Sequence, residues 1–327
     1  MAWDRACDIV LNSVLKVRPD ENLVIVADET SQSVAQALHD RARGVGLDST
    51  LCLMGKRTKP AEEPPQAIAA AMLAADCAVL AVTQSITHSR ARHAAMNAGV
   101  RIASMPGASP RMFEDGSLEA DINITRPLGE WLAEQITGAD EARITSPLGT
   151  DLRLSIKGRT GGGSYGVADT RGAFTVTPCL ESTVGPVEWT AEGTLIVDGV
   201  VVPGGMVTQP FEIVFEKGTV KHIGDGPDAE AFKSMMKGYG DPNVYHVAEM
   251  GIGLNPKAQM GFGIMAEDEG VYGTIHIGLG EGRSFGSSIT AITHTDLVLL
   301  TGRIALDGKV ILDQREFAYT PRVDTPS

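Results

Sequence analysis

Cysteine, aromatic residues and positive charge are all scarce in this 327-residue chain. The four cysteines, Cys7, Cys52, Cys77 and Cys179, lie far apart with no paired spacing, which excludes a disulfide framework and a thiolate zinc site. Cys52 and Cys77 fall in apolar, strand-like runs and read as small buried hydrophobes. Lys and Arg total 28 against 41 Asp and Glu, a formal charge of −13, and aromatics make up 5%. Nucleic-acid phosphates would be repelled by such a chain, and no basic or aromatic stripe offsets the charge. No apolar run reaches the roughly 18 residues that a membrane-spanning helix needs. The first helix, MAWDRACDIVLNSVLKV, carries Asp4, Arg5 and Asp8 where a secretion signal would have a basic flank and an apolar centre. The expectation is a cytoplasmic protein with no membrane or nucleic-acid partner. Also missing is any G-x-G-x-x-G or Walker sequence after a strand, which weakens a nucleotide-binding reading.

What is present is a globular composition, 43% hydrophobic and 21% charged, on a length that suits two domains. Up to about residue 126, short β-branched runs alternate with helical ones. Strands are predicted at 22–28, 48–54, 77–83 and 101–106, and helices at 31–43, 65–75 and 89–98. This spacing means βαβ units, hence an open parallel sheet covered on both sides. His88 lies just past the third strand, at the edge where such sheets bind ligands, and is a pocket and catalytic candidate. It is equally an exposed residue ahead of Ser89 as a helix N-cap.

Beyond residue 126 the pattern changes. A helix at 128–137 is followed by alternating strands around a Pro-Leu-Gly-Thr turn. Hairpin tips follow at Asp198-Gly199, Lys217-Gly218 and Asp307-Gly308, with a helix at 227–238. The glycine-rich segment 160–168 reads as an exposed loop or arm. The expected fold is therefore a parallel α/β domain over 1–126 and a mostly antiparallel, β-rich metal-binding domain over 127–327.

The second half holds residues of metal-ligating type: Glu181, Glu249 in HVAEMGIGLNPKAQ, His276 in GTIHIGLG, and His294 with Asp296 in ITHTDLVLL. His294 and Asp296 are two apart in a strand-like run, so their side chains leave the same face. Each of these residues alone is as well explained by an ordinary exposed strand. The context argues otherwise, because glycines follow Glu249 and His276 and leave backbone room for a ligand. Carboxylates and imidazoles buried together call for positive charge, which a divalent cation supplies.

The segments ITHSRARHAAMNAGVRIASMPG, ESTVGPVEWTAEGTLIVDG, AEMGIGLNPKA, HIGLG and HTDLVL, in this order, resemble the metallo-aminopeptidases of peptidase family M29, the aminopeptidase T family. The resemblance covers most of the chain. It implies two divalent cations, zinc, cobalt or manganese, held by Glu181, Glu249, His276, His294 and Asp296. Glu188 competes with Glu181, because the residues around Glu181 depart from the family pattern. It also implies Glu249 as the proton-transferring carboxylate, a water bridged by two cations that attacks an amide or N-terminal peptide bond, and a homodimer. The chain also resembles the 2,5-dihydroxypyridine 5,6-dioxygenases, which have the same fold and a length closer to this one. It shares with them Ala-Glu-Gly-Thr-Leu, Gly-Leu-x-Pro-x-Ala-Gln, His-x-Asp and a loop histidine matching His88. That likeness implies a single Fe(II) and ring cleavage of an N-heterocycle. Where those enzymes complete their iron triad with a histidine, this chain has Glu249, and His276 is the remaining imidazole for a triad with His294 and Asp296.

Overall fold

The computed structural model describes residues 3–261 and 265–320. After a short helix α1 (Asp4–Asp8), the first sheet is built from β1 (Asn22–Asp28), α2 (Gln32–Gly44), β2 (Asp48–Met54), α3 (Gln66–Leu73), β3 (Cys77–Val82), α4 (Arg90–Ala98) and β4 (Arg101–Pro106). Its strands are all parallel in the order β2-β1-β3-β4, with a fifth strand, Phe174–Val176, beside β4. Alternate residues of β1 explain why both faces are covered: Leu23, Ile25 and Ala27 pack into one cluster with α1 and α2, and Val24 and Val26 into another with α3 and α4. The fifth strand, β8 (Phe174–Val176), arrives from beyond residue 126 and pairs with β4.

An internal ion pair fixes the start of β4. Both nitrogens at the end of Arg101 meet both oxygens of Glu21, at 2.8 and 2.7 Å, and Arg101 Nε donates to the Leu15 carbonyl. The Arg101 hydrogen bonds hold the Glu21 carboxyl down at about 2, against the opposing effect of burial. The folded pKa lies below the unfolded one, so the stabilisation is present above the unfolded value of about 4.3 and fades as pH falls toward 2. Glu21→Gln should therefore cost on the order of 2 kcal/mol near neutrality and about half as much near pH 3. Urea midpoints at the two pH values measure it, and an equal loss at both would contradict the assignment.

The rest of the chain starts with α5 (Ile122–Thr137), whose Leu128, Leu132 and Ile136 face inward. The helix begins six residues before the predicted start. Asp121 accepts from Asn123 N at 2.9 Å as its cap, and the helix runs on through Pro127 in its interior.

Next come β5 (Glu141–Thr145), β6 (Asp151–Ser155), β7 (Gly162–Ser164), β9 (Glu181–Val184), β10 (Glu192–Val197), β11 (Val200–Val202), β12 (Gly205–Met206), β13 (Phe211–Glu216) and β14 (Thr219–Ile223). They are followed by α6 (Pro227–Gly238), β15 (Val247–Gly253), α7 (Met265–Asp268), β16 (Ile275–Gly280), β17 (His294–Leu299), β18 (Arg303–Leu306), β19 (Lys309–Asp313) and β20 (Glu316–Phe317).

Two sheets result, β14-β13-β10-β6-β5-β18-β19-β20 and β12-β11-β17-β16-β15-β9-β7. Their facing sides share one core that includes Ile144, Leu152, Leu195, Ile213, Met250, Ile252, Ile277 and Leu297. The glycine-rich segment is not simply a loop, because Gly162–Ser164 pair with β9 as an edge strand. A Cβ at Gly163 would run into the Glu181 carbonyl, so only bare backbone fits there. No helix among the described residues is long and apolar enough to cross a membrane.

Candidate metal centre

Since Met250 and Ile252 of β15 point into the core, Glu249, Gly251 and Gly253 must point the other way. The pairing register carries this face across four strands. Glu249 lies opposite Gly278, which lies opposite Asp296. Gly251 lies opposite His276, Gly280 opposite His294, and Gly253 opposite Glu181. Each ligand-type side chain thus has a glycine as its cross-strand neighbour. The glycines make the room: a Cβ on Gly278 would stand 2.5 Å from His294 Nε2 and 2.8 Å from Glu249 Cβ, and one on Gly251 would fall on the His276 ring.

Five side chains from β9, β15, β16 and β17 converge on this face. His294 Nε2 is 3.0 Å from both Glu249 Oε2 and Asp296 Oδ1. His276 Nε2 is 3.4 Å from Glu181 Oε2 and 3.7 Å from Glu249 Oε1. Glu249 therefore turns one oxygen to each imidazole. The ring of His294 is fixed from behind, where Nδ1 lies 2.7 Å from the Glu281 carbonyl.

Burial opposes charge on either histidine, yet the carboxylates outweigh it. Glu181 and Glu249 raise His276 well above the ordinary imidazole value, and Asp296 and Glu249 do the same for His294. In Glu181 burial dominates and raises the carboxyl. These directions describe a pocket that attracts cations. Both ring nitrogens of His276 and Oδ2 of Asp296 are fully buried without a hydrogen-bond partner, which a bound metal ion would resolve.

The five expected ligands fall into two trios whose donor atoms lie within 4.8 Å of one another, Glu181-Glu249-His276 and Glu249-His294-Asp296. No such group among the described residues contains both imidazoles, so His276, His294 and Asp296 do not surround one point as a triad. Glu188 is not in the cluster. It pairs with Arg159 at 2.5 Å and accepts from Ser288 N at 2.6 Å, tying down the loop at 283–288. Glu269 is a residue the sequence reading missed: it forms further trios with His276 and Asp296, and with Cys179 and Glu181.

His88 approaches from the first sheet. Ser89 does cap α4, accepting from Arg92 N, and His88 reaches across to Ser284, with Nδ1 2.6 Å from the hydroxyl oxygen. His88 is exposed, yet the desolvation imposed by the groups packed around it, with the positive charge of His294 and Arg92, pushes its pKa down to about 4. Phe285, next to Ser284, packs against the His294 ring with centroids 5.4 Å apart.

The family model described as 2,5-dihydroxypyridine 5,6-dioxygenase (NicX) matches residues 3–319. The chain belongs to this family. A relative from Pseudomonas putida named 2,5-dihydroxypyridine 5,6-dioxygenase is 28% identical over 185 residues, an alignment covering 53% of each chain. Among solved structures, the dihydroxypyridine dioxygenase of Pseudomonas putida KT2440 superposes with a TM-score of 0.85 at 21% identity, covering 98% of this chain and 97% of that one. AmpT from Thermus thermophilus does so with a TM-score of 0.70 at 12% identity, covering 97% and 99%. Both resemblances read from the sequence are therefore real: they share a fold with an N-terminal parallel α/β sheet and C-terminal antiparallel sheets. Family membership makes the chain kin to enzymes.

Proposed function

We propose that this protein is a metal-dependent dioxygenase that opens the ring of a small dihydroxylated N-heterocycle, with Fe(II) as its metal. The end-to-end family match over residues 3–319 carries the proposal. Glu249, His294 and Asp296 are the residues that would hold the ion, a one-imidazole, two-carboxylate set that departs from the two-histidine, one-carboxylate triad usual for non-haem Fe(II) oxygenases. When bound, Fe(II) supplies the redox-active centre at which dioxygen and the ring meet, both oxygen atoms ending in the opened product. The protein's own part is to position and deprotonate. When Nδ1 donates its hydrogen to the Ser284 hydroxyl, His88 Nε2 carries the lone pair and can accept the proton of a ring hydroxyl. Phe285 offers an apolar surface against which a flat ring can lie.

A second reading rests on Glu249, whose two oxygens face two imidazoles as a carboxylate shared by two cations would. That arrangement suits a dinuclear hydrolase acting on an amide or N-terminal peptide bond. The two readings part on oxygen. Anaerobically prepared Fe(II), Zn(II), Co(II) and Mn(II) forms are offered dihydroxypyridines and a panel of aminoacyl amides. The expected result is stoichiometric oxygen uptake with the Fe(II) form and a dihydroxypyridine, and no release of amine by any form. Amide turnover without oxygen consumption would replace the dioxygenase by the hydrolase.

A further inference from the structure

We infer that Glu269 is itself a metal ligand, binding a cation together with His276 and Asp296 on the inner side of the centre. Glu269 belongs to neither ligand set implied by the resemblances. Its carboxylate, the His276 ring and the Asp296 carboxylate offer donor atoms within 4.8 Å of one another, and all three residues are buried. Two of the three carry orphaned atoms: neither nitrogen of the His276 ring has a hydrogen-bond partner, and neither does Asp296 Oδ2. A fully buried imidazole whose Nδ1 has no partner, and whose Nε2 has only carboxylate oxygens at 3.4 and 3.7 Å, is costly unless something ligates it. Glu269 is also held toward the centre from behind, where Cys179 Sγ donates to its Oε1 at 3.6 Å.

Charge points the same way. Glu181, Glu249, Glu269 and Asp296 place four carboxylates in one pocket, and among the described residues no Lys or Arg is paired with any of them. A divalent ion placed among Glu269, His276 and Asp296 neutralises charge that the outer trio with His294 leaves uncompensated. The inference concerns the metal centre alone and holds whichever reaction that centre runs.

Glu269→Gln keeps the size and the hydrogen-bonding ability of the side chain but removes its charge and most of its power to ligate. Apo protein of the wild type and the variant is titrated with Zn(II) and with Co(II) against a competing chelator, with metal content read by mass spectrometry and the fold by circular dichroism. The expected result is a folded apo variant that binds one ion fewer per chain than the wild type, a loss beyond the roughly 10- to 100-fold weakening that removing an outer-shell partner causes, with a changed Co(II) absorption spectrum. Wild-type affinity and an unchanged spectrum would show that Glu269 only supports Asp296, a task an amide can do, and would overturn the inference. Should the apo variant not fold, Glu269→Asp decides. It retains the charge one methylene further back, so it should weaken binding while the apo protein stays as stable as wild type. Unweakened binding in Glu269→Asp would count against ligation. The readout is metal binding, so a failed oxygen-uptake experiment leaves this result unaffected.

Discussion

His294→Ala is expected to remove the bound metal and turnover together. Its Nε2 is the point where Glu249 and Asp296 meet, 3.0 Å from an oxygen of each, and its other nitrogen is anchored on the Glu281 carbonyl, so no neighbour can take its place. Without the imidazole the outer trio is reduced to two carboxylates, which repel each other when no cation is bound. The metal's contribution to the transition state is worth several kcal/mol, so its loss should slow turnover about a thousandfold or more. Metal content by mass spectrometry and initial rates on the same preparation check this. A variant with full metal content and full activity would remove His294 from the centre, and with it the reading of this sheet face as the active site.

Much of this site is legible in the sequence, because His-x-Asp on an apolar strand and Glu-x-Gly-x-Gly are patterns with a physical reason. The α/β half is legible for a similar reason, since runs such as NLVIVAD must be buried on both faces. What escaped depends on register. That each ligand faces a glycine across the sheet follows from how β9, β15, β16 and β17 align, which no single strand reveals. Register also explains why no trio contains both imidazoles: His276 pairs with Val298 while His294 pairs with Gly280, so the Glu249-Gly278-Asp296 row runs between them.

Glu269 stands in the run Glu267-Asp268-Glu269, where nothing local separates the one that faces the metal centre from its neighbours. Glu188 and Glu181 could not be ranked from sequence, because the deciding partner, Arg159, is distant in the chain. The short strands β7 and β8 escaped because three residues carry too little periodicity, and β7 is recognised only through its close contact with β9.

The glycine neighbours lead to the second large effect, Gly251→Ala. One methyl group is the smallest addition a side chain allows, yet here it would occupy the place of His276 Nε2. His276 cannot swing away, since its ring is fully buried with Glu181 and Glu249 on the side it faces. The strand must shift, which separates His276 from Glu181 and Glu249. Overpacking of this kind costs about 1 to 3 kcal/mol of stability, and the loss of metal binding should exceed what that cost alone explains. The comparison is Gly44→Ala at the end of α2, where an added Cβ meets nothing within 4 Å. That variant should keep wild-type metal content and thermal midpoint. Gly251→Ala should lose at least one ion per chain and unfold at a lower temperature, by a margin that no longer depends on added metal. If Gly251→Ala instead bound metal as the wild type does, the His276 ring would not sit where the cross-strand glycine makes room for it, and the inner half of the proposed centre would have to be abandoned.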